Sequence, residues 1–462
     1  MRPFWLEQAL FSEGDLAPAL QGAQRADVCI VGGGFTGLWT AIQAKQQDPS
    51  LDIVIIESDL CGAGASGRNG GCLHTWSAKF FTLCRLFGQA EAIRLVKASE
   101  AVLGNIAAFC RDHSIDAEFR QDGTLFTATS RAQIGTFGPV IQALQDCGIH
   151  SYQALPPAEV ALRSGSARNL AGVFSPIAAT VHPGKLVRGL RRVALAMGIR
   201  IYERTPMLDF SRGQPSVVRT PCGSIEAKKL VLAINAWMAR TVPQFERTIA
   251  IVSSDMVITE RCPELLREIG LDNGISVLDS RTFVYYYRGS ADGRIMLGKG
   301  GNTFAWAGRI APVFDQRSPY EEDLTSALRE FFPALQNTPI TASWNGPSDR
   351  SVTGLPFFGK LDGAHHIYYG FGYSGNGVGP TYMGGQILSS MLLDQDNAWT
   401  RSPLTQGPLG QFPPEPIRYV GSIAVRNAIR RKERAEDRGR QPWLIDTMLS
   451  KLANAAGKTD KA

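Results

Sequence analysis

A glycine-rich segment near the N-terminus constrains the fold of this chain more than any other feature. Gly32-Gly33-Gly34-Phe35-Thr36-Gly37 follows an apolar run that ends at Val31, and a helical pattern over residues 38–46 comes next. Alternating isoleucine and valine over residues 51–57 then predict a second buried strand. Strand, helix and strand in this order predict a βαβ unit. Gly-x-Gly-x-x-Gly at the turn between strand and helix is the pattern of Rossmann-like dinucleotide sites.

The motif has a physical rationale at each glycine. Gly32 permits the tight turn, Gly34 lets the backbone approach a pyrophosphate, and Gly37 lets helix and strand pack closely. The N–H groups at the start of the helix favour negative charge. Glu57, twenty residues after Gly37, is placed to accept hydrogen bonds from a ribose diol. NAD and FAD both carry this ADP moiety, so the motif alone leaves the choice between them open.

A second stretch of small residues follows almost at once. Residues 62–71 read Gly-Ala-Gly-Ala-Ser-Gly-Arg-Asn-Gly-Gly. Such a loop can lie along a pyrophosphate and pass under a flat ring, whereas a NAD dehydrogenase is expected to begin another helix here. The loop therefore favours FAD, with a mobile linker as the alternative. The contacts predicted here are Ser66, Arg68, Asn69, Gly70 and Gly71.

A third glycine-rich loop lies near residue 370. Residues 370–379 read Gly-Phe-Gly-Tyr-Ser-Gly-Asn-Gly-Val-Gly and lead from a strand into a helix that is predicted to begin near Thr381. N–H groups at this position can stabilise negative charge on a reduced flavin. A plain helix-entry loop is the alternative. The predicted cofactor contacts are Ser374, Gly375, Asn376 and Gly377.

These motifs together resemble one family of flavoenzymes. Gly-Ala-Ser-Gly-Arg-Asn-Gly-Gly after Gly-Gly-Gly-Phe-Thr-Gly-Leu is similar to FAD enzymes of the D-amino-acid oxidase and glycine oxidase type, above all their gamma-glutamylputrescine oxidase branch. Four further segments stand in the order which that branch uses, and the resemblance covers most of residues 25–395. These segments are Asp122-Gly123-Thr124-Leu125-Phe126, Val181-His182-Pro183, Lys229 to Trp237, and Tyr369 to Gly377.

The resemblance implies a fold, a cofactor and an activity. It implies an α/β fold (α+β overall), with a Rossmann-like FAD-binding domain and a second, substrate domain on an antiparallel sheet. It also implies a backbone contact near Met207 with the adenine. The expected reaction oxidises a carbon–nitrogen bond of a small amine by hydride transfer to flavin N5, followed by imine hydrolysis and peroxide formation from molecular oxygen. A dehydrogenase with another electron acceptor and a NAD-dependent dehydrogenase remain the alternatives.

Candidate substrate residues are sought as cations and aromatic walls, since flavin-dependent amine oxidation needs little acid–base machinery. Tyr286 and Arg288 lie two apart on a predicted strand and therefore share a face, where the arginine can hold a carboxylate or phosphonate. His74 and Lys79 leave the second glycine loop directly. This basic segment departs from the putrescine-derivative enzymes and is similar to some aminophosphonate oxidoreductases, so an acidic group on the substrate is expected.

Two further cations are candidates for the catalytic site. Lys299 follows a strand of the predicted substrate domain and can promote the reaction with oxygen electrostatically, with a solvated turn lysine as the alternative. Arg350 precedes Gly354-Leu355-Pro356, a segment that borders the flavin in the family. No cluster of histidine and cysteine residues has metal-ligand spacing, so no metal is predicted.

Length, charge and cysteine content limit the classes of protein to which this chain can belong. The chain has 462 residues, a formal charge of +6 and eight scattered cysteines, which argues against nucleic-acid binding and favours reduced thiols in the cytoplasm. No apolar run reaches the roughly 18 residues that span a bilayer. The predicted division assigns residues 1–80, 155–248 and 341–398 to the FAD-binding domain, 81–154 and 249–340 to the substrate domain, and 399–462 to a basic, partly helical extension.

Overall fold

A parallel sheet forms the first half of the architecture. The computed structural model describes residues 1–11, 16–453 and 460. We call this layer the nucleotide sheet. The centre of its five parallel strands is buried and apolar, as in the four buried residues of Ile53–Ile56 and the last four residues of Gly22–Val31. Their spatial order is Ala364–Phe371, Gly223–Leu232, Gly22–Val31, Ile53–Ile56 and Arg200–Tyr202. Antiparallel strands Phe357–Leu361, Ser216–Thr220 and Asp209–Phe210 extend it.

The predicted βαβ unit lies at the centre of this sheet. Its strands are Gly22–Val31 and Ile53–Ile56, joined by the helix Phe35–Gln47. The helix begins three residues before the predicted start, because Gly34 is extended and the first helical residue follows the motif's turn directly. The α/β fold is confirmed.

The second layer, the substrate sheet, is mixed. Its strands occur in the order Ile340–Ser351, Ile249–Thr259, Ile295–Phe304, Tyr285–Gly289, Ser276–Asp279, Thr124–Ala128, Ala171–Ser175 and Gln153–Ala154. All neighbouring pairs are antiparallel except Ser276–Asp279 with Thr124–Ala128, which run parallel. A separate two-stranded ladder pairs Cys72–Leu73 with Ala179–Thr180. The antiparallel core of this sheet agrees with the sequence pattern.

The domain division stays a proposal. Two strands inside the ranges proposed for the FAD-binding domain, Ala171–Ser175 and most of Ile340–Ser351, pair in the substrate sheet. Strand pairing joins segments that are distant in sequence, which local patterns do not reveal.

Helices cover the nucleotide sheet and connect the two layers. Pro380–Leu392 packs against Phe35–Gln47, and Leu388, Ile42 and Leu190 belong to one apolar core. The other α-helices are Phe4–Phe11, Ala65–Arg68, Phe80–Phe87, Gln89–Asp112, Gly138–Asp146, Pro157–Ser164, Pro183–Ala196, Met238–Thr241, Pro263–Ile269, Glu321–Phe331, Ile417–Asp437 and Leu444–Lys451. Among the described residues, no helix has the length and apolar character needed to cross a membrane.

The C-terminal extension is helical where it is described. Ile417–Asp437 contains the basic run, and Leu444–Lys451 packs against it. The first helix is anchored to the substrate sheet, since Asp437 Oδ1 lies 2.9 Å from Arg281 Nη2 and Glu433 accepts a hydrogen bond from the Thr282 N–H. Residues 454–459 and 461–462 of the predicted extension lie outside the described residues.

Candidate active site

A cavity of about 790 Å³ lies between the two sheets and is lined by residues of both. Twelve of the predicted cofactor residues line it: Gly32, Gly34, Phe35, Thr36, Glu57, Ser66, Arg68, Asn69, Gly70, Met207, Gly375 and Gly377. The other four, Gly37, Gly71, Ser374 and Asn376, are next to lining residues in the chain. The structure therefore brings all three glycine loops to one cavity.

The first glycine loop has space only for glycine at two positions. Gly32 has a φ of +113°, and a Cβ there would lie 2.5 Å from the carbonyl oxygen of Ala233. A Cβ on Gly37 would lie 2.0 Å from the carbonyl oxygen of Gly32. Backbone cannot yield at these distances, so the turn, the neighbouring strand and the helix pack closely because both side chains are absent.

Glu57 ends the second strand beside this loop. One carboxylate oxygen accepts a hydrogen bond of 2.8 Å from the Gly33 N–H, and the other accepts from the Asp59 N–H and the Ser58 hydroxyl. Burial raises the pKa of Glu57, while these hydrogen bonds oppose the rise. The carboxylate lines the cavity, where its remaining lone pairs can accept hydrogen bonds from a diol.

The second glycine loop contains one turn of helix, Ala65–Arg68. Ser66 Oγ accepts a 2.8 Å hydrogen bond from the Phe35 N–H, which ties this loop to the first. The Asn69 amide nitrogen donates to the carbonyls of Ala65 and Ser66, and its oxygen accepts from the Gly71 N–H. The side chain of Asn69 thus holds the loop's shape.

Arg68 joins the same loop to the substrate sheet. Its guanidinium donates to the carbonyls of Ala63 and Asn345 and to the Asp315 carboxylate, the last at 2.6 Å. Gly70 lies where the loop crosses Tyr286, and a Cβ there would come within 2.6 Å of the tyrosine ring. Arg68 and Gly70 therefore fix how the loop meets the second layer.

The third glycine loop is positioned by Asp349, which sequence reasoning missed. The Asp349 carboxylate accepts hydrogen bonds from the N–H groups of Gly372 and Tyr373, and its carbonyl accepts from the Ser374 N–H. Burial raises the pKa of Asp349 to about 6. The only signal in the sequence was its place directly before Arg350, since no local pattern pairs it with a loop more than twenty residues away.

Two of the six predicted catalytic residues, Tyr286 and Arg350, line the cavity. The Tyr286 hydroxyl lies 3.0 Å from Ser254 Oγ, and burial raises its pKa, which keeps it neutral. Arg350 is partly buried and donates to the Ser374 carbonyl. Its guanidinium packs closely against Gly300 and Gly375, which also line the cavity, since a Cβ at these glycines would lie 3.3 and 3.0 Å from Nη2.

Arg288 is not among the lining residues. Its guanidinium donates to the carbonyls of Gly70 and Val181, both at 2.7 Å, and to that of Gly289 at 3.3 Å. It shares a face with Tyr286, as the strand period requires, but it reaches past the cavity to anchor the second glycine loop. These bonds use three of the five N–H donors of the guanidinium and hold it away from the cavity.

His74 and Lys79 are buried and also absent from the cavity lining. The His74 ring lies 5.8 Å from the ring of Phe126. Lys79 Nζ lies 3.9 Å from an Asp460 carboxylate oxygen, and burial lowers the pKa of Lys79 to about 8. The basic segment therefore packs beside the site, and the structure does not bring it to the cavity.

Lys299 likewise faces away from the cavity. Residues of a strand point alternately to opposite sides, and its neighbour Gly300 lines the cavity. Lys299 Nζ lies 3.6 Å above the Tyr285 ring and donates to the Phe283 carbonyl. Burial lowers the pKa of Lys299 to about 8, an effect that Glu433 and Asp279 oppose.

The cavity fits FAD on its own geometry. Gly32, Gly34 and the start of the helix Phe35–Gln47 offer a pyrophosphate cradle, and Glu57 offers ribose acceptors. Gly70 and Gly375 of the other two glycine loops line the same cavity, where neither presents a side chain to a flat ring system. Among the described residues, no cluster of histidine, cysteine and carboxylate side chains could hold a metal ion.

Comparison with known proteins decides the family. The sequence model of DAO, described as FAD dependent oxidoreductase, matches residues 27–391. The chain belongs to the DAO family of FAD-dependent oxidoreductases. This confirms the resemblance found in the sequence and the choice of FAD over NAD, and it makes the protein an enzyme.

Relatives within the family cover most of the chain. The gamma-glutamylputrescine oxidoreductase of Escherichia coli is 29% identical over 374 residues, which are 79% of this chain and 83% of the relative. A glycine oxidase of Geobacillus kaustophilus is 24% identical over 411 residues, 87% of this chain and 99% of the relative. The crystal structure of glycine oxidase from Geobacillus kaustophilus has a TM-score of 0.69 at 21% identity and covers 83% of this chain and 98% of that structure, so the two share a fold.

Proposed function

We propose that this DAO-family enzyme oxidises a carbon–nitrogen bond of a small primary or secondary amine that carries an acidic group. The names of two relatives support an amine as the substrate, since one is a gamma-glutamylputrescine oxidoreductase and the other is a glycine oxidase. In the reaction, the amine loses a hydride and a proton to become an imine, and water converts the imine to a carbonyl compound and a free amine. Oxygen then takes two electrons and two protons to become hydrogen peroxide.

The observation that carries the proposal is Arg350 in the wall of the cofactor cavity. Its guanidinium packs against Gly300 and Gly375 and lines the cavity, where it can bind a carboxylate or phosphonate. The cavity lining also includes the apolar Met256 and Val284, the neutral Tyr286 and the carboxyl of Asp349, which precedes Arg350 in the chain. The partly buried cation of Arg350 attracts an anion more strongly than an exposed cation would, because less water competes with the contact.

Tyr286 and Asp349 complete the chemistry that the chain supplies. The neutral Tyr286 hydroxyl can donate a hydrogen bond that orients the substrate, and its ring forms a wall beside Gly70. Asp349 positions the third glycine loop through its backbone bonds. FAD, when bound, supplies the hydride acceptor, so the residues mainly orient the reacting carbon and favour the unprotonated amine.

An amine panel tests the reaction class. Purified holoenzyme should show a flavin absorption spectrum and release peroxide with some of the following: polyamine conjugates, glycine and sarcosine, D-amino acids, and aminophosphonates. A colourless protein, or no turnover of any amine with either oxygen or an artificial dye as acceptor, contradicts the proposal. Turnover with the dye but not with oxygen contradicts the oxygen acceptor alone.

The anion role of Arg350 has its own test. Arg350→Gln should raise the KM for anionic amines by about 10- to 100-fold, since hydrogen bonds to charged groups contribute about 1.5–3 kcal/mol. The KM for neutral amines should change far less. Arg240→Gln, an exposed arginine outside the cavity lining, is the control. An equal rise for charged and neutral amines would show that Arg350 shapes the site without binding the anion.

A further inference from the structure

The last helix of the described part of the chain exposes a set of large apolar side chains. Helix Leu444–Lys451 and its two flanking residues carry five of them, each 61–83% exposed. We call these residues the C-terminal apolar face: Trp443, Leu444, Ile445, Met448 and Leu452. Single exposed apolar residues are common on soluble proteins, but five within ten positions mark an interaction surface.

The opposite side of this helix is docked, so its orientation is fixed. Asp446 is buried, and both of its carboxylate oxygens accept hydrogen bonds from Arg431 of the preceding helix, the shortest at 2.6 Å. The preceding helix is itself bound to the substrate sheet through Asp437 and Arg281. An amphipathic helix of a globular protein normally buries its apolar side. Here the polar side is buried and the apolar side faces solvent.

The charge around the face is positive. Arg431, Arg434, Arg438, Arg440 and Lys451 are all exposed. The acidic residues of the same helices are paired: Glu433 and Asp437 with Arg281, Glu436 with Lys432, and Asp446 with Arg431. Arg431 is therefore neutralised by Asp446, and the remaining exposed cations are Arg434, Arg438, Arg440 and Lys451, which lie on the same two helices and in the segment that joins them.

We propose that the C-terminal apolar face docks this enzyme onto an anionic lipid bilayer. Apolar side chains with a tryptophan beside basic residues are the composition of helices that lie in the plane of a membrane interface. Negatively charged headgroups attract the arginines, while the apolar side chains enter the boundary of the acyl chains. A second copy of this chain on the same face would bring two sets of arginines together, which disfavours a dimer there.

Vesicle sedimentation with purified holoenzyme tests whether the C-terminal apolar face binds an anionic bilayer. The enzyme should sediment with vesicles of phosphatidylcholine and phosphatidylglycerol, bind phosphatidylcholine vesicles far less, and be released as salt rises. Leu444→Ser with Met448→Ser should weaken binding about tenfold or more, because both side chains leave the acyl boundary. Leu162→Ser, at an equally exposed leucine elsewhere, is the control. Each variant should keep its flavin spectrum and Tm, which shows that it is folded.

The charge contribution is tested separately. Replacing Arg434, Arg438 and Arg440 by glutamine should weaken binding to anionic vesicles about 100-fold, since each basic residue contributes about fivefold. The same change at exposed Arg212, Arg267 and Arg309 is the control and should change binding much less. The proposal is overturned if wild-type enzyme ignores anionic vesicles, or if test and control variants bind alike. A dimer that the Leu444/Met448 variant loses, without vesicle binding, would show that a second copy covers the face.

Discussion

Single side chains decide whether the cofactor cavity forms at all. Gly37 lies on the first turn of the helix after the glycine motif, with its Cα against the Gly32 carbonyl. Gly37→Ala should lower the free energy of unfolding by about 1–3 kcal/mol and reduce the bound flavin, because the helix must move away from the strand. Chemical denaturation and the flavin absorbance per protein measure both effects.

A second glycine provides the control for that change. Gly104 lies inside helix Gln89–Asp112, where an added Cβ meets no atom within 4 Å. Gly104→Ala should raise stability by about 0.5–1 kcal/mol through helix propensity alone, with no loss of flavin. Equal losses of flavin in both variants would mean that close packing at Gly37 does not support the cofactor site.

The raised pKa of Asp349 predicts that the stability of the protein depends on pH. Its pKa of about 6 in the folded protein exceeds the ordinary value of 3.8, so between these pH values the folded state holds a proton that the unfolded state has lost. Stability from this group is complete below about pH 3 and is lost as pH rises through 6. Relative to Asp349→Asn, the wild-type free energy of unfolding should therefore fall by about 2 kcal/mol between pH 4 and pH 7.

Denaturant unfolding of the wild type and of Asp349→Asn across this pH range shows whether the wild-type free energy of unfolding falls or rises with pH. Asp396→Asn, which removes an exposed carboxyl, is the matched control and should show a much smaller change with pH. A difference between wild type and Asp349→Asn that is constant with pH would mean that burial does not control the ionisation of Asp349.

The elements of this fold differ in how far local sequence determines them. The helix and strands around the first glycine motif follow from apolar periodicity and turn residues within about thirty positions, and they form as expected. The directions of Arg288 and Lys299 depend on which strands pair and on what lies across each face. Asp349 depends on a loop distant in sequence. Such contacts between distant segments leave no local signal in the sequence. Arg288 and Lys299 could therefore be predicted as candidates and Asp349 could be overlooked, but the position of none of these side chains relative to the cavity could be predicted.

The orientation of strand Ile295–Phe304 gives a prediction for Lys299. Because alternation directs this lysine to the side opposite the cavity, Lys299→Met should change the rate at which reduced enzyme reacts with oxygen by less than about twofold. An electrostatic stabiliser at the reacting atoms would cost about 100-fold or more when removed. Stability should fall by about 1–3 kcal/mol, since buried Glu433 and Asp279 lose a nearby cation.

Stopped-flow mixing of the reduced variant with oxygen measures the first effect. Lys360→Met is the matched control, since Lys360 also lies over a tyrosine ring, that of Tyr368 at 5.5 Å. A 100-fold slower reaction with oxygen for Lys299→Met alone would restore the role in oxygen activation that its sequence position suggested.

At the scale of the whole molecule, the cavity lies between two sheets that also share one apolar core. That core includes Ile30 and Ile55 of the nucleotide sheet and Met256 and Leu278 of the substrate sheet. The glycine loops and residues of the substrate sheet both line the cavity. A ligand that fills the cavity should therefore stabilise both halves together. At 100 times its Kd, FAD should add about 2.7 kcal/mol to the free energy of unfolding of the apoprotein.

Hydrogen–deuterium exchange of the apoprotein can locate that stabilisation. FAD should slow exchange both in the first glycine loop, residues 32–36, and in residues 282–284, which lie in the loop between two strands of the substrate sheet, since both segments line the cavity. ADP should slow exchange mainly in the first segment, because it carries the pyrophosphate and ribose but no flavin ring. Helix Gly138–Asp146 lies outside the cavity lining and is the internal control. Protection of residues 32–36 alone by FAD would mean that the flavin end does not reach the substrate sheet, and the site proposed around Tyr286 and Arg350 would then lie too far from the reacting atoms.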